Sequence, residues 1–136
     1  MYETFDHTAD LGLRVRAADL NTLFAESARA LFSVIVANLA DVSPVQRVEI
    51  ELEEDQPDFL LFDWLNELLF LYDSRNFGFS DFQVTINDGH LTGSAGGEPL
   101  DSRRHQLDHE VKAITYHGLK VQPDPTGWLA EFIVDI

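Results

Sequence analysis

Two aspartates far apart in the sequence carry the clearest chemical suggestion. Asp10 opens a segment in which Leu11, Leu13 and Val15 alternate with Gly12, Arg14 and Arg16, and Asp135 lies in the closing run Phe132-Ile133-Val134-Asp135-Ile136. Such period-two patterns mark half-buried strands. Each acid falls off the more apolar face of its run, Asp10 with the arginines and Asp135 with Ile133. If the two strands are neighbours, two carboxylates and the last main-chain oxygens meet at one spot. Carboxylates that close repel each other unless a cation or a shared proton intervenes. A donor set of oxygens alone selects calcium or magnesium over zinc or copper. Extending the chain past Ile136 is then expected to weaken such a site. Acids solvated at the surface account for the same residues with no ligand.

Lys112 is a lone cation in the apolar run Val111-Lys112-Ala113-Ile114-Thr115-Tyr116-His117. On period alone it shares a face with Ile114 and Tyr116, and so is placed either at a rim or against an acid. His105 and His109, with Glu110 beside them, have zinc-like spacing only if the segment is helical, and the glycine-rich approach argues for loop histidines. Gly93-Ser94-Ala95-Gly96-Gly97 lacks the Gly-Lys-Ser/Thr ending of a phosphate loop. No serine sits in a Gly-x-Ser-x-Gly elbow, so hydrolase chemistry has no local support. The acids from Glu51 to Asp55 read as a solvated strand face.

These residues need elements to position them. Leu20, Leu23, Phe24, Ala28, Leu31, Phe32 and Ile35 recur at three- and four-residue spacing, which predicts a helix from about Leu20 to Val36 capped by Asp19 or Asn21. Val48, Ile50 and Leu52 alternate with glutamates as a one-sided strand. Pro57 suits a first helical turn, and Leu60, Leu61, Trp64, Leu65, Leu68, Leu69 and Tyr72 continue the helix to about Ser74. A strand over Phe79–Ile86, the turn Asn87-Asp88-Gly89 and a return strand beginning at His90–Gly93 form a hairpin. Gly93 to Asp108 reads as a long connection. Strands over Val111–Val121 and Trp128–Asp135 flank the turn cluster Pro123–Gly127. The order predicts an α+β fold: a largely antiparallel sheet with two helices packed on one face, in a single domain over 1–136.

The chain has 136 residues, no cysteine, and twenty-four acidic against nine basic residues, a formal charge of −15. Ten Phe, two Trp and three Tyr supply a core despite that acidity. The charge repels phosphate backbones and anionic membranes, so unaided RNA binding is not expected, while a basic protein or a small cation is compatible. Thiolate metal sites and thiol catalysis are excluded. No apolar run approaches the ~18 residues of a membrane span, and the acidic start does not resemble a secretion signal. A cytoplasmic protein is expected.

His7-Thr8-Ala9-Asp10, the helix that follows, Gly97-Glu98 through His105, the run Glu110 to His117, and the closing Asp135-Ile136 together resemble the archease family. The likeness spans Tyr2 to Ile136. Ala17-Ala18 departs from the family's pattern, in which a glycine commonly follows the first strand. The resemblance implies a small α+β accessory protein that activates an RtcB-type, GTP-dependent RNA ligase in tRNA splicing and RNA repair. It implies no catalysis of its own, but promotion of ligase guanylylation and multiple turnover, with RNA met only through the ligase. It further implies a metal, usually calcium with Mg2+ or Mn2+ as alternatives, held by Asp10, Asp135 and the main-chain oxygen of Ile136. His7 and Lys112 are marked as partner contacts. Two rival readings stand beside it, a metal-dependent phosphohydrolase using the same aspartates and a chaperone-like binding module.

Overall fold

The computed structural model describes residues 1–7 and 10–136, and for Asp6 and His7 the backbone alone. Its elements run β1 (Tyr2–His7), β2 (Asp10–Ala17), α1 (Leu20–Ile35), β3 (Gln46–Glu53), α2 (Pro57–Arg75), β4 (Phe77–Asn87), β5 (His90–Pro99), β6 (Ala113–Asp124) and β7 (Gly127–Asp135), with a short 3-10 turn at Leu39–Asp41. The strands divide into two antiparallel sheets, one ordered β1-β2-β7-β6 and the other β3-β5-β4. The α+β class and the two helices match expectation, but one sheet becomes two. The helices supply the reason: α1 packs on β2 and β4, and α2 on β6 and β3, so the two helices bridge both sheets.

Both helices start as their sequences dictate. Asp19 caps α1 by accepting the Thr22 N–H at 2.8 Å, and Pro57 occupies the first turn of α2. Asn21, the other candidate cap, instead accepts the Ile86 N–H on β4. Trp64, Phe24, Phe32, Phe79 and Phe132 are fully buried, and the Trp64 indole N–H reaches the Phe24 carbonyl at 3.0 Å. This bond ties α2 to α1 through the middle of the core.

Two stretches differ from expectation. β1 has no clear hydrophobic alternation and was not foreseen; it is held by pairing along β2, with Phe5 opposite Gly12. A Cβ on Gly12 would lie 2.3 Å from the Phe5 ring, so any other residue there would force that ring to move. The glycines from Gly93 to Gly97 belong to a strand rather than a connection, because β5 runs on to Pro99 as the centre of its sheet. They are there for close approach. A Cβ on Gly93 would press on the Trp64 ring at 2.7 Å, and one on Gly97 would sit 1.9 Å from the Gly78 carbonyl oxygen.

The true connection is 100–112, and it is tied down along its length. The N–H groups of Asp108 and His109 donate to the carbonyls of Ile35 and Val34, which α1 leaves unpaired at its end. Ala37 donates to Gln106, and Lys112 donates to Asp135.

Candidate functional site

β2 and β7 are direct neighbours, and in their register Asp10 stands opposite Asp135. Directly opposed residues of an antiparallel pair project to the same face with Cβ atoms about 4.5–5.5 Å apart. That face is the one turned away from the buried Leu13, Val15, Phe132 and Val134. Ala113 of β6 pairs with Asp135, and His7 of β1 pairs with Asp10, so one row of four residues crosses the end of the sheet. Ile136 follows, half-buried against the core. Thr8 and Ala9 lie outside the described residues, as does the His7 side chain.

Two rows further along the same face the charges alternate. Glu3, Arg14, Glu131 and Lys120 lie side by side across β1, β2, β7 and β6. Arg14 donates to Glu131 and Lys120 sits 2.8 Å from Glu131. Burial pushes the Glu131 carboxyl up, but Lys120 and Arg14 outweigh it and hold the group below its ordinary range. Between this row and the tip, Phe5, Gly12, Ile133 and Thr115 form an apolar strip.

Lys112 joins the tip by a route the sequence did not suggest. It precedes β6 rather than lying within it, and its N–H bonds the Asp135 carbonyl at 2.8 Å. Its side chain is exposed, unlike the buried Ile114, and forms no ion pair among the described residues. Tyr116 is displaced because the register with β7 slips between Thr115 and Lys120. It stacks on Phe59 of α2 at 5.4 Å.

The histidine pair does not converge. His105 is buried, accepting the Asp101 N–H at Nδ1 and meeting Glu98 Oε2 through Nε2 at 3.0 Å. His109 is exposed. Sequence reasoning missed what surrounds His105. Glu98 also accepts from the Ser43 N–H at 2.7 Å and from Arg104 at 2.8 Å. Those bonds, Arg104's first, lower its carboxyl to about 2. One acid followed within eight residues by an arginine and a histidine, across a chain reversal, was the available signal. Every partner in this cluster is satisfied inside it, which marks it as a structural clamp.

Among the described residues no group of three or more His, Cys, Asp or Glu side chains could hold a metal. Among the described residues the tip offers two carboxylates, Asp10 and Asp135. That set is all oxygen and suits a hard cation. No described helix is long and apolar enough to cross a membrane.

The Archease protein family model matches residues 2–136. The chain is 41% identical over 140 residues to the Protein archease of Pyrococcus furiosus, covering 99% of this chain and 98% of the relative. It is 42% identical over 139 residues to that of Methanopyrus kandleri, covering 99% of each. The solution structure of Methanobacterium thermoautotrophicum protein 1598 superimposes with a TM-score of 0.87 at 34% identity, over 99% of this chain and 98% of that one. On the match along its whole length, the chain belongs to the archease family.

Proposed function

We propose that this protein is a non-enzymatic activator of an RtcB-type, GTP-dependent RNA ligase serving tRNA splicing and RNA repair. It promotes guanylylation of the ligase and multiple turnover, and meets RNA only through the ligase. The observation that carries the reading is the facing of Asp10 and Asp135 across β2 and β7, with Lys112 bonded beside them, in a member of this family. Asp10, Asp135 and the main-chain oxygen of Ile136 are the residues that would hold a calcium-type ion. When bound, such an ion neutralises the facing carboxylates and joins β2 to β7 at the sheet end. The chain's own contribution is to present this end to the partner, with His7 and Lys112 as contacts. The formal charge of −15 supports a partner whose RNA-binding surface is basic, with encounter rates that fall as salt rises.

The test is a ligation assay with manganese, GTP, RNA and limiting cognate ligase, with and without this protein. Expected are faster ligase guanylylation and more product per ligase, both reduced in Asp10→Asn. An unchanged yield per ligase removes the proposal.

A further inference from the structure

A groove leads away from the tip along the outer side of α2. One wall is the α2 ridge bearing Phe70 and Asp73, and the other is the strap from Leu107 to Ala113. Two adjoining hollows of about 360 Å³ each share Asp73 and Glu110 as lining residues. Single exposed apolar side chains are ordinary on protein surfaces. Here Phe70, 62% exposed, and Leu107, 50% exposed, both edge the same acidic groove. Asp73, Asp108 and Glu110 line it against one lysine, Lys112, at its tip end, with His109 and Tyr72 as further titratable groups. The Tyr72 phenol in its floor is held above its ordinary range by burial, with the Glu110 and Asp73 charges adding to it.

We infer that this groove docks a basic segment of the ligase carrying an apolar anchor, with lysines or arginines over Asp73, Asp108 and Glu110 and the anchor against Phe70 and Leu107. The inference rests on the ligase-activator reading and adds a second hold on the same partner, continuous with the tip through Lys112. Charge selects the occupant. An RNA strand and a second copy of this chain, at −15, are both repelled by the groove, whereas a cationic segment is attracted and its anchor covers exposed apolar surface. Anchors of this kind carry a disproportionate share of binding energy.

The test titrates the cognate ligase into the wild-type protein, Phe70→Ala, and the double variant Asp73→Lys/Glu110→Lys, at low and high salt. All three positions are exposed or on the groove rim, and unchanged melting temperatures check the fold. Expected is a loss of ligase affinity of about tenfold for Phe70→Ala. The double variant is expected to lose at least as much, with a flatter salt dependence. A benzoyl photo-crosslinker in place of Phe70 is expected to label a ligase peptide rich in lysine or arginine. Affinities within twofold of wild type for both variants overturn the inference alone, as does crosslinking only to RNA or to a second copy. A wild-type protein that does not bind the ligase overturns the activator reading and this inference with it.

Discussion

At Glu98 a carboxylate is enclosed by donors: the Ser43 N–H, Arg104 and the buried His105 all point at it. At the end of the β2–β7 pair, Asp10 and Asp135 stand opposite one another as like charges. The first arrangement is complete inside the chain, so its acidity serves folding. The second sets two carboxylates where cross-strand pairing ordinarily favours opposite charges. The Arg14–Glu131 pair, on the same face of the same two strands, shows that this sheet also accommodates the favourable arrangement. The clamp gathers donors around one acid, whereas the tip brings two acids from different strands to one end of the sheet.

The largest expected effect tests the clamp. Glu98→Ala leaves Arg104 and the buried His105 without their shared acceptor, and thermal denaturation should show a loss of about 3 kcal/mol. Acid should reproduce part of this. Because the Glu98 carboxyl is lowered from 4.5 to about 2, its contribution is complete above 4.5 and lost as pH falls toward 2. Glu98→Gln should therefore show a shallower decline in melting temperature over that window. Equal declines in the two proteins would assign the acid sensitivity elsewhere.

The tip should respond to calcium instead. At a hundred times its dissociation constant, calcium is expected to raise stability by about 2.7 kcal/mol, measured as a shift in melting temperature. Asp10→Asn should abolish that shift while Glu98→Gln retains it. A shift of the same size in Asp10→Asn would place the ion elsewhere. The smallest effect is the sharpest discriminator. In the presence of a chelator, Asp135→Asn should be slightly more stable than wild type, by about 0.5 kcal/mol, because a like-charge pair is relieved. A destabilisation would mean that the two carboxylates do not oppose each other.

The tip was legible because strand alternation is a local rule: once Leu11, Leu13 and Val15 fix one face, Asp10 must lie on the other, and the same holds for Asp135 among Phe132 and Val134. That β2 and β7 are neighbours is a tertiary fact, and the sequence offered it only as a condition. Both helices were readable from their spacing and start signals. β1 was not, since its apolar residues find their setting only across the strand pair, Phe5 over Gly12. The Gly93–Gly97 run was misread because its glycines answer to Trp64 and Gly78, partners distant in the chain. Lys112 was placed in a strand by its apolar flanks, although β6 begins one residue later.

The stretch from Leu100 to Lys112 is the longest excursion without a helix or a lengthy strand, yet its main chain is bonded at Arg104, His105, Gln106, Asp108, His109 and Lys112. Cleavage by a protease requires a segment to open locally, and segments pinned at many backbone positions open rarely. Limited digestion should accordingly spare this exposed-looking belt, and a nick appearing there would report that α1 has already let go of its end.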